Sequence, residues 1–478
     1  MMENSPKLTP ITSLWMHQLM EETTVLNELF HKYGSPINIH HPDSMEENYN
    51  SYQKVFEEFD LKHKIFFARK ANKTKAVVQK AYALGMGIDT ASLQEYTQCL
   101  DMAIPASELI VTAAVKNRKL VEKAVHYSSL LILDNEDECE LVQTVAEEQN
   151  KKARIGFRLS GFFINEKKLF SRFGFDLLTI DEFVTSNFID SDKYNLLEYK
   201  GLHFHLNGYS IEEREYALAQ CLAFSQLLSK KGLKTDFIDI GGGILMNYLK
   251  NESEWVYFNQ QLRKAISKKT REITYKNKGL GLKVQGDVLH GKLKTYPFWS
   301  TVTKGDSLRK ILSHRTHSGE SLAELAQKLN IEIRMEPGRS LLDQVGLTIA
   351  KVAFRKQDSK DNWLVGLEMN MTQMLSGSAD FLLDPFVLYQ EDLEGDPVEV
   401  YFTGAYCLER DILLKRKIAL SKLPKVGDLV VFVNTAGYMM HFFESSAHLF
   451  PLATNLIWNR NTENGKINSA HFQNDETI

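Results

Sequence analysis

Apolar residues come along this chain in short blocks, and longer amphipathic stretches separate them. The blocks are Lys64–Ala68, Gly87–Asp89, Glu108–Ala113, Leu130–Asp134, Arg154–Leu159, Gly201–Leu206, Asp236–Gly241 and Ile331–Glu336. Most intervals carry the spacing of a helix with one buried face, as in Lys73–Leu84, Leu93–Leu100, Arg118–His126, Glu136–Gln149 and Glu212–Lys231. Such alternation is the βα pattern of a parallel sheet, hence an α/β fold. Eight strands is the count that closes a TIM (β/α)8 barrel. A doubly wound open sheet is the competing arrangement. The interval before the eighth block is too long for one helix. The barrel, residues 41–345, is therefore expected to hold an insertion around 245–330.

The flanks read differently. Residues 1–40 open with the helix-like Leu14–Lys32 and turn at Gly34-Ser-Pro36 into a short strand, Ile37-Asn-Ile39. After Val345, strand-like runs follow one another through turns: Leu347–Phe354, Trp363–Glu368, Val398–Thr403 and Asp428–Val433. That predicts a second, mainly β domain over 346–478. Its tail, Asn459–Ile478, is polar with little to bury and is expected to be mobile.

Composition bounds the partners. Of 478 residues, 43% are hydrophobic and 25% charged, enough for two domains with cores. A formal net charge of -4 gives no reason to expect nucleic acid or a membrane surface as partner. Cys99, Cys139, Cys221 and Cys407 are scattered without a C-x-x-C pair, so neither a disulfide framework nor a metal site is expected. The stretch Met1–Phe30 has acidic residues and no apolar core of a signal peptide. No apolar run nears the ~20 residues of a membrane span. A cytoplasmic setting is the expectation.

Chemistry in a TIM barrel sits at the C-terminal ends of its strands. Strand one leads to Lys70, strand two ends in Asp89 and strand five in Arg158. Strand six carries His203 and His205 on one face, strand seven runs into Gly241-Gly242-Gly243, and strand eight ends in Glu336. Each has an ordinary explanation: a solvated lysine, a structural ion pair, a hydrogen-bonded core histidine, a tight turn. Their convergence on one rim is what singles them out. Three successive glycines let a backbone approach a ligand and present N–H groups to an anion. In strand eight, Ile331, Ile333 and Met335 alternate with Glu332, Arg334 and Glu336. Pro337-Gly338 stops that strand, and Arg339 follows as a second donor for an anion. An amine, a carboxylate, a flat imidazole and a phosphate cradle are together what pyridoxal 5'-phosphate (PLP) needs.

Longer motifs carry a resemblance. Lys64-Ile-Phe-Phe-Ala-Arg-Lys-Ala-Asn72, Gly87-Ile-Asp-Thr-Ala-Ser-Leu-Gln-Glu95, Ser171-Arg-Phe-Gly174, Gly201-Leu-His-Phe-His205, Asp239-Ile-Gly-Gly-Gly243 and Glu336-Pro-Gly-Arg339 occur in that order. Cys407 and Ala436-Gly-Tyr438 follow. From about residue 30 to 445 the chain resembles the fold-type III PLP-dependent decarboxylases, the ornithine, diaminopimelate and arginine decarboxylase group. Their fold is an alanine racemase-like TIM barrel with a β domain. The resemblance implies that Lys70 holds PLP, Glu336 pairs with the ring nitrogen and His205 stacks on the ring. It implies Arg158 near the phenolic oxygen, Asp89 near Lys70, and Gly242, Gly243, Gly338, Arg339 and Tyr438 around the phosphate. Cys407 would reach in from a second subunit and help protonate the carbanion. The expected active unit is then a homodimer acting on a small amino-acid substrate, with residues 1–40 joining the β domain. The charged face of strand eight would point inward, toward the cofactor. A glutamate at the ring nitrogen keeps it protonated and favours loss of carbon dioxide; the related racemases are expected to carry an arginine there. Racemisation is the alternative reaction, and a non-catalytic PLP-binding regulatory relative the alternative role.

The substrate half departs from the family pattern. After the histidine strand the family has Gly-Ser, with the serine on phosphate. Here Leu206-Asn207-Gly208-Tyr209-Ser210 stands, and Asn207 and Ser210 are the two candidates for that role. Cys407 is followed by Leu408 where the family has an acid that reads a distal amine, with Glu409-Arg410-Asp411 next. Where the diaminopimelate enzymes place substrate-binding arginine and tyrosine, Glu368-Met-Asn-Met-Thr-Gln373 stands. Lys292 and Lys294 are candidates to bring charge from the insertion. The expected reaction is decarboxylation of an amino acid or amino-acid conjugate, not plain formation of a diamine.

Overall fold

The computed structural model describes residues 5–376, 379–391, 394–459 and 467–475. The chain enters through helices α1 (Leu14–Glu21) and α2 (Thr23–Tyr33) and strand β1 (Ile37–His40). After α3 (Met45–Glu58) come eight barrel strands: β2 (His63–Ala68), β3 (Gly87–Thr90), β4 (Leu109–Val111), β5 (Leu130–Leu133), β6 (Ala153–Ser160), β7 (Leu197–His203), β8 (Phe237–Asp239) and β9 (Glu332–Met335). Successive strands pair in parallel, and β9 pairs with β2, so the sheet closes into a TIM barrel and the open-sheet arrangement does not apply.

Between the strands run α4 (Lys75–Ala83), α5 (Leu93–Asp101), α6 (Arg118–His126), α7 (Glu136–Gln149), α8 (Ile180–Val184) and α9 (Ile211–Lys230). Local sequence sets where several of them start. Ser92, Asn117, Asn135 and Ser210 each accept the third N–H of their helix, so an otherwise unpaired donor is satisfied at each entry.

The barrel interior explains three glycines. Phe66, Ile110, Leu130, Ile132 and Phe237 pack together inside it. A Cβ on Gly87 would lie 2.4 Å from the Phe66 ring, one on Gly156 2.8 Å from Ile132, and one on Gly201 2.7 Å from the Phe237 ring. Three strands thus give up their side chains so that two aromatic rings can fill the centre. In β9, Ile333 and Met335 face the helices. Arg334 lies 3.9 Å over the Phe237 ring and bonds Glu332 at 2.5 Å. The charged face points inward, but of its three residues only Glu336 reaches the rim.

One strand boundary differs from the sequence reading. The sixth barrel strand starts at Leu197 and stops at His203, so His205 lies in the loop beyond and not on the strand. Glu198 and Lys200 interrupt the apolar run there, and alternation rather than a continuous block marks a strand with one solvated face.

The insertion is built in two parts. Helices α11 (Lys304–Ser313) and α12 (Leu322–Lys328) pack on α3 and α9 and complete the outer ring. Helix α10 (Glu252–Ile266) and the hairpin Leu282–Gln285/Val288–Gly291 turn the other way. Their residues Phe258 and Leu262, with Tyr248, Tyr296 and Phe298, share a core with Val352, Leu367, Phe402 and Phe432.

Those last residues belong to the second sheet. Its strands are β10 (Gly346–Gln357), β11 (Trp363–Leu367), β12 (Phe386–Leu388), β13 (Val398–Thr403), β14 (Ile418–Leu420), β15 (Leu429–Val433), β16 (Thr454–Trp458) and β17 (Phe472–Asn474). The order is β14-β13-β11-β10-β1-β16-β17, with β15 on β10 and β12. Strand β1 runs antiparallel to β10 and parallel to β16. Trp15, Leu19, Leu26 and Phe30 of α1 and α2 cover this face.

The described part of the tail is not free, contrary to the sequence expectation. Phe472 is buried, β17 pairs with β16, and the Asp475 carboxylate accepts the N–H groups of Lys75 and Ala76 at 2.7 and 2.8 Å. One aromatic and one acid at a helix N-terminus suffice to dock a polar segment. Residues 460–466 and 476–478 lie outside the described residues. Among the described residues, no helix is long and apolar enough to cross a membrane.

Candidate active site

Period two carries the inward residues of the barrel up to its rim. Asp89 of β3, Arg158 of β6, His203 of β7, Asp239 of β8 and Glu336 after β9 are all buried and share one layer above the aromatic centre. Lys70 follows β2 on a single tight turn, and its Nζ meets Asp89 Oδ2 at 3.1 Å. The other Asp89 oxygen takes the Thr112 hydroxyl. Burial opposes the charge on Lys70, but Asp89 and Glu336 outweigh it and hold the ammonium above its ordinary range.

Glu336 is 2% exposed. His203 Nε2 lies 3.1 Å from its Oε1. Burial works against the Glu336 charge; His203 and Lys70 overcome it and hold the carboxyl well below the usual range. Asp239 goes the other way. Burial, then the Glu336 charge, push it well above the carboxylate range, while the Gly241 N–H donates to it at 2.8 Å. His203, Asp239 and Glu336 bring ligand-type atoms within 4.8 Å of one another. His205 Nδ1 accepts the Gly242 N–H at 3.3 Å and stands 3.9 Å from Glu336 Oε2, too far for a hydrogen bond. Burial lowers the His205 imidazole to about 4, so a neutral flat ring faces the cavity at neutral pH.

That cavity has about 610 Å³ and is lined by Arg158, His205, Glu336 and the loops at 207–209, 242–244 and 338–340. Arg158 reaches Asp134 at 3.4 Å and stacks 4.3 Å over Phe173. Backbone crowding marks the far wall. A Cβ on Gly242 would lie 2.5 Å from the Glu336 carbonyl oxygen, and one on Gly338 2.9 Å from the Tyr438 hydroxyl. Arg339 donates to the Tyr248 hydroxyl and the Gly437 carbonyl, both at 3.1 Å, and lies between the Tyr296 and Tyr438 rings. Of the two candidates in the histidine loop, Ser210 accepts the Glu213 N–H as a helix cap, and Asn207 lines the cavity.

The structure thus brings together Lys70, Asp89, Arg158, His205, Gly242, Gly243, Glu336, Gly338, Arg339 and Tyr438. Within one chain it does not bring Cys407, which is exposed beyond β13 and lies off the cavity wall. Lys292 and Lys294 do not line the cavity either. Gly281 and Gly291 fold that segment back on itself, where the Lys294 N–H bonds the Leu280 carbonyl at 2.8 Å. The insertion contributes aromatic residues instead, Tyr248 and Tyr296 beside Arg339. His203 and Asp239 were legible as strand residues, but their roles behind Glu336 were not. The available signal was inward position two residues before His205 and Gly241.

These groups fit PLP: an anchoring amine, a buried anion opposite it, a neutral ring for stacking, and glycines where any Cβ would fill the cradle. Comparison with known proteins agrees. Residues 43–281 match the family model for the pyridoxal-binding domain of pyridoxal-dependent decarboxylases. The y4yA protein of Sinorhizobium fredii is 27% identical over 88% of this chain and 87% of its own length. A diaminopimelate decarboxylase of Campylobacter jejuni is 23% identical over 86% of this chain and 88% of its own. The crystal structure of Helicobacter pylori diaminopimelate decarboxylase with L-lysine superposes with a TM-score of 0.66 at 19% identity, covering 94% of this chain and 95% of that one. A lysine/ornithine decarboxylase of Vibrio vulnificus with putrescine gives 0.66 at 18% identity, over 94% and 99%. With half of its length matched to the family model and the rim described above, the chain belongs to the PLP-dependent decarboxylases.

Proposed function

We propose that this protein removes the α-carboxyl group of an amino acid or amino-acid conjugate, with its substrate half adapted away from the simple diamine-forming enzymes. The observation that carries the reading is Glu336: a buried carboxylate held anionic with His203 beside it, near enough to the Lys70–Asp89 pair for its charge to act on both. Lys70 would hold PLP through its amine, and Glu336 would keep the ring nitrogen protonated. The chemistry that the cofactor supplies when bound is withdrawal of the electron pair left on Cα as carbon dioxide departs. His205 would orient the ring from one face. Gly242, Gly243, Gly338 and Tyr438 would bind the phosphate, with Arg339 adding its charge. Asp89, 3.1 Å from Lys70 Nζ, would orient that nitrogen and take up the proton the amine must lose to hold the cofactor.

A proton must then reach Cα. Cys407 Sγ of a second copy is the proposed donor, which makes the working unit a homodimer. Exposure of Cys407, together with exposed Leu408, Phe442 and Phe443, supports an interface on this side. Relatives named as diaminopimelate decarboxylases put diamino acids first in a substrate screen, and acyl conjugates second. The test is twofold. Purified protein should absorb in the visible PLP–lysine band, and Lys70→Ala should not. A wild type that takes up no PLP, or that releases carbon dioxide from nothing in the screen, refutes the reading.

A further inference from the structure

Arg214 stands at the start of α9, directly beneath the two loops that face the cavity, and is 1% exposed. Its Nη2 donates to the carbonyls of Gly208 and Gly242, each at 2.9 Å. Nη1 donates to the Ser210 carbonyl at 2.9 Å, and Nε to the Gly242 carbonyl at 3.3 Å. Among the described residues it forms no ion pair with a carboxylate. Burial lowers its guanidinium to about 10, so the charge persists at neutral pH. A cation buried without a paired anion is costly. The carbonyl dipoles offset part of that cost, and an anion on the other side of the loops would offset more.

The geometry acts on both faces of each loop. In a trans peptide, the C=O and N–H of one unit point in opposite directions. Carbonyls of Gly208 and Gly242 held down on Arg214 therefore turn the N–H groups of Tyr209 and Gly243 away from it. Both residues line the cavity. Gly243 completes the fit: its φ is +79°, and a Cβ there would lie 2.2 Å from Arg214 Nη2. Glycine at 243 is required by the arginine below as well as by a ligand above.

We propose that Arg214 is a positioning residue for phosphate recognition. It ties the loop after His205 to the loop after β8, so that their amides converge on the cofactor phosphate, and its buried charge strengthens the field there. This rests on the proposed seating of PLP at the rim.

The experiment separates phosphate recognition from ring binding. Cofactor-free protein is titrated by equilibrium dialysis with PLP and with pyridoxal, which lacks the phosphate. Wild type is expected to prefer PLP. Arg214→Met is expected to lose about tenfold or more in PLP affinity, the scale of a hydrogen-bonded charge, while its pyridoxal affinity stays within about twofold. Arg214→Lys keeps the charge but cannot fork across three carbonyls. It should show a smaller loss with the same selectivity, and it carries the test if the methionine variant does not fold. Equal losses for both ligands, or no PLP loss in a folded variant, overturn the role of Arg214. A wild type that does not distinguish PLP from pyridoxal overturns the seating itself, and this proposal with it.

Discussion

Acid should unlock the seam behind Lys70, because two histidines there are buried in neutral form. His40 of β1 and His441 stack at 5.9 Å. His441 Nδ1 accepts the Lys73 N–H at 3.2 Å, and its Nε2 donates to Asn455 Oδ1 at 2.7 Å. His40 Nε2 meets the Asn72 amide at 3.2 Å. Protonation of either ring would cost an accepted bond as well as burial of charge. Burial, with His441 nearby, lowers His40 to about 3; burial lowers His441 to about 4. The native state therefore stays neutral where an unfolded chain, with an ordinary histidine near 6.5, takes up protons. Stability from these groups is complete above pH ~6.5 and is lost as pH falls toward the folded values. At about 1.4 kcal/mol per pH unit, each loses roughly 2 kcal/mol by pH 5. Together that is a large part of a typical stability of ~5–15 kcal/mol. His441→Gln keeps an amide near both partners and removes one titration. Urea unfolding with saturating PLP, at pH 7 and pH 5, should find the variant less stable at pH 7. The gap to wild type should then shrink by about 2 kcal/mol at pH 5. A gap that stays constant or widens refutes the neutral burial of His441. Because Asn72 and Lys73 lie two and three residues past Lys70, the cofactor absorbance of wild type should fade over the same pH window.

Three further perturbations address the barrel, the rim and the assembly. Gly201→Ala places a Cβ 2.4 Å from the Phe237 carbonyl oxygen and 2.7 Å from its ring, and should lower stability by ~1–3 kcal/mol as a fall in Tm. Glu336→Gln keeps the shape and removes the charge; kcat should fall by ~100-fold or more with PLP occupancy retained, and an unchanged kcat would leave Glu336 without its assigned role. Cys407→Ala and Lys70→Ala should each be inactive, yet subunits mixed and allowed to exchange should recover about a quarter of the wild-type sites if Cys407 acts across a two-fold interface. No recovery after proven exchange would place Cys407 in its own subunit's chemistry, and an active Cys407→Ala would place it outside the chemistry.

Much of this site was legible because barrel chemistry obeys a one-dimensional rule. Apolar blocks mark strands, and the residue ending each block marks the rim. Asp89, Arg158 and Glu336 follow that rule, and Lys70 and His205 lie just beyond their strands. What failed was whatever depends on contacts between distant segments. The polarity of Asn459–Ile478 predicts a mobile tail, but Asp475 needs only the start of α4 to dock. Lys292 and Lys294 drew attention as charges, whereas the insertion delivers Tyr248 and Tyr296 through a shared core with the second sheet. Arg214 was invisible because one more arginine in an amphipathic helix is ordinarily a solvated one; only the fold puts three carbonyls around it.

The protonation pattern of the rim also depends on such contacts. Glu336 stands close enough to Asp89 and Asp239 to raise the proton affinity of both, and Asp89 raises that of Asp239. Three like charges in one buried layer cannot all persist, and something must choose among them. His203 makes the choice by bonding Glu336, and Lys70 adds to it, so the charge settles there and Asp239 keeps its proton. Environments that push neighbouring carboxyls apart are the general means of assigning acid and base roles. A glutamate after β9 therefore does not by itself guarantee a protonated ring nitrogen and the decarboxylation that follows from it. The histidine on β7 behind it, together with Lys70, holds that glutamate as the anion.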